Sequence, residues 1–111
     1  MVIYFKTKKL QKLCSKRAEV IKKLGAKGGL KLQQRMMELR AANTLEDISR
    51  VPPARCHELT GNRQGQLSVD LDHPYRLLFV PANNPKPERK DGGLDWSGVT
   101  EVEIIGVVDT H

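Results

Sequence analysis

The chain is short of several things, and each shortage closes off a class of protein. It has only two cysteines, Cys14 and Cys56. Two thiols do not make the framework of a disulfide-stapled secreted domain, so both read as reduced packing residues, Cys14 on an apolar helical face and Cys56 near a strand start. The three histidines and two cysteines show no familiar ligand spacing, so no metal site and no cofactor is expected. No stretch approaches the roughly 20 apolar residues of a membrane span. The opening Met-Val-Ile-Tyr-Phe-Lys is too short an apolar run for a signal peptide, and the expected location is cytoplasmic. No internal repeat is visible.

Positive charge is what the chain has in excess. Nineteen Lys and Arg face thirteen Asp and Glu, giving a net charge of +6, and the densest basic run lies between Lys6 and Lys31. Such a balance favours an anionic partner, nucleic acid first. The plain alternative is an ordinary basic surface. The length of 111 residues fits one domain over 1–111, able to bury a core unaided.

Val2 to Phe5 reads as a first strand, and Thr7 as the N-cap of a helix. Leu10, Leu13, Cys14, Ala18, Ile21 and Leu24 recur at helical spacing and predict one amphipathic helix of about 16 residues, stopped by Gly25. Ala26-Lys27-Gly28-Gly29 reads as a linker. Leu30 to Ala42 reads as a second helix with two apolar rows, Leu32/Met36/Leu39 and Leu30/Met37/Ala41, which predict a wide buried stripe. Two helices so joined should form an antiparallel hairpin. Thr44 to Asp47 resembles a capped turn, and Val51-Pro52-Pro53 excludes helix interior or central strand.

The richest stretch runs from His57 to Pro81. His57-Glu58-Leu59, Gln66 to Leu71 and Tyr75 to Val80 read as three antiparallel strands, because apolar and polar residues alternate with a period of two. Thr60 to Gly65 and Asp72-His73-Pro74 supply the turns. Ala82 to Gly98 reads as a long solvated loop, of a length that is often functional or mobile. Its Trp96 could stack on a base, but is expected to fold the loop back on the body, because aromatics usually bury most of their surface. Val99 to Val108 is the last strand, with Val102, Ile104 and Val108 on one face and Glu101, Glu103, Ile105 and Val107 on the other. Asp109 and His111 continue the second face. The fold class is α+β: a helical hairpin packed on a twisted, mainly antiparallel sheet.

His57, Arg63, Tyr75, Arg76, Asp109 and His111 are the candidate chemical groups. If the end of the last strand lies beside the Tyr75 strand, an Arg, a His and an Asp converge at one end of the sheet. RNA cleavage without a metal needs such a kit: a base for the 2′-hydroxyl proton, an acid for the leaving 5′-oxygen, and a cation on the phosphate. Histidine suits the first two roles and the planar guanidinium of arginine the third. Each residue also has a plain reading: His111 as a frayed terminus, Arg76 as a rim charge, Arg63 as a solvated turn, His57 as a core histidine, His73 as part of a turn.

Beyond these physical cues, Val51-Pro52-Pro53, Arg55, Leu59-Thr60-Gly61-Asn62-Arg63-Gln64-Gly65-Gln66, Ser68-Val69, Tyr75-Arg76-Leu77 and the closing Val108-Asp109-Thr110-His111 resemble the HigB branch of the RelE/ParE toxin superfamily. The resemblance covers nearly the whole chain and is at motif level over 51–80 and 102–111. It implies an endoribonuclease toxin, an mRNA interferase acting in the ribosomal A site. It also implies a helix-turn-helix antitoxin of the HigA kind as partner, with operator DNA reached through that antitoxin. By position, Asp109 and His111 match the terminal catalytic pair, Arg76 the strand arginine on the scissile phosphate, and Arg63 the loop arginine expected to bind RNA phosphate or hold the loop. His57 matches a histidine that some members carry. Two departures stand out. Thr60 replaces the lysine of the best-known members, and Thr110 replaces a tyrosine. They motivate an alternative, a toxin-fold protein that binds antitoxin and operator but cuts poorly. A ParE-like gyrase inhibitor is a further alternative, against which the terminal Asp-x-His argues.

Overall fold

The computed structural model describes residues 1–109, so Thr110 and His111 lie outside the described residues. The elements run β1 (Val2–Phe5), α1 (Lys8–Ser15), α2 (Arg17–Ala41), β2 (His57–Glu58), β3 (Leu67–Asp70), β4 (Tyr75–Pro81) and β5 (Glu101–Asp109), with single 3-10 turns at Leu45–Asp47, Gly61–Arg63 and Trp96–Gly98. The strands form one sheet in the order β1-β5-β4-β3-β2. β1 runs parallel to β5, and the other three pairings are antiparallel. The chain is therefore α+β, with a mixed, mainly antiparallel sheet.

The helical region departs from its expected form. Thr7 does cap α1: its Oγ1 accepts from Leu10 N at 3.1 Å. But the helix stops at Ser15, where Lys16 turns extended (φ −111°, ψ 114°). A second helix then runs straight through the expected 26–29 linker, bent at Gly25 (φ 77°, ψ 174°). Only glycine adopts that backbone conformation readily. Gly28 and Gly29 are there for packing between the two arms of α2. A Cβ on Gly28 would sit 2.7 Å from Leu24 Cβ, and one on Gly29 would sit 3.2 Å from Val20 Cγ1. The expected N-terminal hairpin of two helices is thus replaced by a short α1 and a long bent α2, both placed after β1.

One apolar row behaves as expected and the other does not. Leu32, Met36 and Leu39 are buried against the sheet. Leu30 and Met37 are 66% and 63% exposed, so the stripe is narrow. Ala18 and Ile21 also face out, and Val20 is buried in their place. The sheet contributes Leu67, Val69, Leu77, Phe79, Val102 and Ile104 to the same core. Burial at this scale is the main favourable term in folding.

β5 contains a bulge that matters for function. Phe79 pairs with Ile104 and Leu78 with Gly106, so Ile105 is the extra residue. An inserted residue inverts the alternation beyond it. Val107 pairs with Leu77 and packs against the core, on the side of Ile104 rather than of Glu103. Val108 takes the opposite face, where it pairs with Arg76.

The 82–98 segment is bonded to itself and to the body. Asn83 Oδ1 accepts from Thr100 N and Glu101 N at 3.0 and 3.1 Å. Glu88 and Leu94 form a bridge. Leu94 and Trp96 join the core, and Trp96 Nε1 donates to Glu58 Oε2 at 3.1 Å while Arg50 lies 3.8 Å over its ring. The tryptophan folds the loop back, and the segment is less solvated than its composition suggests.

Burial also sets the thiol chemistry. It pushes Cys56 up to about 12 and Cys14 up to about 11, from an ordinary 9.0. The unfolded chain therefore loses these protons first as pH rises, and stability falls between about pH 9 and 12. Urea midpoints should drop over that range, less steeply in Cys56→Ala. At about pH 8 both thiols should react with a disulfide reagent far more slowly in the native than in the unfolded protein. Equal native and unfolded labelling rates would refute this reading.

Candidate functional site

Pairing across β2, β3 and β4 lays out two rows of side chains on the sheet face turned away from the helices. His57 lies opposite Ser68, Ser68 opposite Leu78, and Leu78 opposite Gly106. In the next row Asp70 lies opposite Arg76, and Arg76 opposite Val108. Arg55, two residues before His57, extends this second row. Directly opposed residues share a face, so the rows bring Arg55, Asp70, Arg76 and His57 to one surface.

Asp70 is the hub. Arg55 forks onto it, Nε to Oδ2 at 2.7 Å and Nη2 to Oδ1 at 3.2 Å. Arg76 Nε lies 3.7 Å from Oδ1, beyond the 2.7–2.9 Å of a charge-assisted hydrogen bond. Arg76 is thus steered by the carboxylate but less tightly held than Arg55. The hydrogen bonds that Arg55 donates to Asp70, joined by the carboxylate's charge, raise the Arg55 pKa. Backbone bonds fix the hub from two sides: Asp70 N donates to Ala54 O at 2.7 Å, and buried Arg35 donates from Nε to Asp70 O at 2.8 Å. Arg35 Nη1 also donates to both Glu38 carboxylate oxygens at 3.1 Å.

Arg55 adopts φ 48°, the left-handed region that a non-glycine residue enters at a cost of about 1–3 kcal/mol. Its N–H donates to Val51 O at 3.0 Å, its side chain binds Asp70, and its carbonyl lies 2.9 Å from His57 Nδ1. A carbonyl only accepts, so Nδ1 donates. In the neutral ring Nε2 is then the proton acceptor. A cleft of about 250 Å³ opens beside the hub, lined by Arg55, Asp70, His73, Tyr75 and Arg76 among others. Two guanidinium groups around one carboxylate leave a local excess of positive charge, suited to a phosphate. Ser68 Oγ, next to His57 on this face, is fully buried and is the one buried side-chain polar atom without a hydrogen-bond partner among the described residues.

The expected set divides. Tyr75, Arg76 and Asp109 do meet at one end of the sheet, Tyr75 opposite Asp109. However, Tyr75 packs on the core side, so the register puts Asp109 on the face opposite to Arg76. Asp109 is exposed. His57 shares the Arg76 face, two strand spacings across and two residues along the sheet, about 12 Å between Cα atoms. Thr60 and Arg63 are exposed in the loop at the far end of β3, where Arg63 Nη1 reaches Gln66 Oε1 at 3.5 Å. His111 lies outside the described residues. Arg55, Asp70 and Arg35 were missed as site residues. Asp70 ends β3, Arg55 precedes β2 and Arg35 lies inside α2, so none carries a local signal and only the folded register joins them. No family model matches the chain and no curated protein is significantly similar to it, so the resemblance to HigB toxins rests on the motif residues. Among the described residues, no three His, Cys, Asp or Glu side chains group to hold a metal ion, and no helix is long and apolar enough to cross a membrane.

Proposed function

We propose that this chain is a RelE-like toxin of the HigB type, the toxin of a type II toxin–antitoxin pair, and a ribosome-dependent endoribonuclease. The observation that carries the reading is the shared face of Arg76, Arg55 and His57, a phosphate-binding pair beside a proton acceptor. In this mechanism Arg76 takes the non-bridging oxygens of the scissile phosphate. A base, His57 Nε2 or His111, removes the 2′-hydroxyl proton. The 2′-oxygen attacks phosphorus, the bond to the 5′-oxygen breaks, and the other histidine returns a proton to that oxygen. The products are a 2′,3′-cyclic phosphate and a 5′-hydroxyl. Asp109 orients His111, while Arg63, Thr60, Tyr75 and the lysines of α1 contact RNA or ribosomal phosphates. Binding should fall steeply with salt. The partners are a helix-turn-helix antitoxin of the HigA kind, through it operator DNA, and the ribosome with its mRNA in the cytoplasm.

A second reading, a toxin-fold protein that binds but cuts poorly, has its own support. Asp70 already occupies both arginines, Thr60 brings no ammonium, and the register turns Asp109 away from Arg76. Programmed ribosomes separate the two. The nuclease reading expects wild-type protein to cut mRNA in the A site, and to leave the same RNA whole without ribosomes. Folded protein that never cuts, yet binds its antitoxin, establishes the second reading. DNA double-strand breaks with translation intact would instead point to a gyrase poison.

A further inference from the structure

A second surface, which shares no lining residue with the cleft beside the Asp70 hub although its β5 edge pairs with the Arg76 strand, is built to take a protein segment. β1 pairs with β5 only over Glu101–Ile104. Beyond Ile104, on the β1 side, residues 105–108 of β5 have no strand neighbour among the described residues. The chain leaves β1 there and turns into α1. A cleft of about 930 Å³ lies between β5, α1 and the first arm of α2, at the upper end of the range for binding clefts. Leu10, Leu13, Ile105 and Val107 give it an apolar floor. Lys6, Lys9, Lys12, Lys22 and Lys23 rim it against a single acid, Glu19.

We infer that this cleft docks an extended, acidic–apolar segment of a partner protein, added as a strand to the open edge of β5. The edge supplies main-chain hydrogen bonds, and period-two alternation of the segment sends apolar side chains to the floor and carboxylates to the lysines. Charge complementarity selects the sign of the partner. Single-stranded RNA fits less well, because stacking platforms are aromatic and the cleft lining includes no aromatic residue. The docking geometry stands apart from the nuclease chemistry, but the segment and RNA would compete for Lys9 and Lys12, which the nuclease reading places against RNA or ribosomal phosphates.

The test uses a labelled peptide of roughly ten residues alternating glutamate and valine. Its controls are a peptide of the same composition with the glutamates in one block, and an oligouridine of similar length. Anisotropy should show the alternating peptide binding the wild-type protein, with a loss of about tenfold or more in Lys12→Glu/Lys22→Glu. Bound peptide should slow amide exchange within residues 105–108. Both lysines are exposed, so the variant should keep the wild-type circular dichroism. Three outcomes overturn the inference: no binding by folded protein, equal binding of the blocked peptide with exchange in 105–108 unchanged, or tighter binding of oligouridine with the same lysine dependence.

Discussion

Arg35→Ala is expected to destabilise the protein by about 3 kcal/mol or more, through the lost stem packing and an orphaned backbone acceptor, and to lower Tm by roughly 10–20 °C. Arg35 is 1% exposed, the one buried charged residue among the described residues. Truncation removes a long apolar stem from the core and orphans the part-buried Asp70 carbonyl, at a cost of up to about 1–3 kcal/mol. Glu38 contributes less, since at 38% exposure it can turn to water. Arg35→Met separates these effects. It restores most of the stem without the guanidinium, so it should recover part of the loss while leaving the carbonyl unpaired. Urea unfolding of the three proteins measures this. An Arg35→Ala protein within 1 kcal/mol of wild type would mean that water replaces the guanidinium freely.

Arg35 also shows where sequence reading works and where it stops. β3 and β4 are legible because their alternation is a local property, β1 because it is a short run of β formers, and Thr7 because an N-cap needs only its own turn. Arg35 sits between buried Leu32 and Met36 and the exposed Met37, and nothing local says which way the helix rotates. The sheet decides: Asp70 O needs a donor, so the arginine turns inward and Met37 outward. The break at Lys16 has no proline or glycine to announce it. Gly28-Gly29 reads as a linker by composition and proves to be a close contact. Gly106 was the available hint of the bulge, since glycine inside a strand often marks one. Missing it assigned Val107 and Val108 to the wrong faces. The candidate site was legible to a similar degree. Arg76 stands out as a charge inside an apolar strand. Arg55 and Asp70 each look ordinary, and only the pairing of β3 with β4 makes them one unit with Arg76.

That unit gives the largest functional expectation. On the nuclease reading, Arg76→Ala should lower the rate of mRNA cleavage on the ribosome by about 10²–10³-fold, the usual loss for removing one preorganised donor to a developing oxyanion. Arg76→Lys should recover little, because an ammonium cannot reproduce the planar fork. Asp70→Asn should behave differently. It removes the carboxylate that competes with substrate phosphate for both arginines, while the amide oxygen can still accept from Arg55. RNA binding to the free protein should tighten and depend more steeply on salt, since two cations become available instead of a partly neutralised pair. Cleavage should stay within about tenfold of wild type, because Arg76 Nε at 3.7 Å from Asp70 is only loosely positioned by it. Single-turnover cleavage and binding isotherms on the three variants check all of this. Near-wild-type cleavage by Arg76→Ala would remove the phosphate clamp from the mechanism. A collapse in Asp70→Asn, with RNA binding unchanged, would make Asp70 the group that positions Arg76 rather than its competitor.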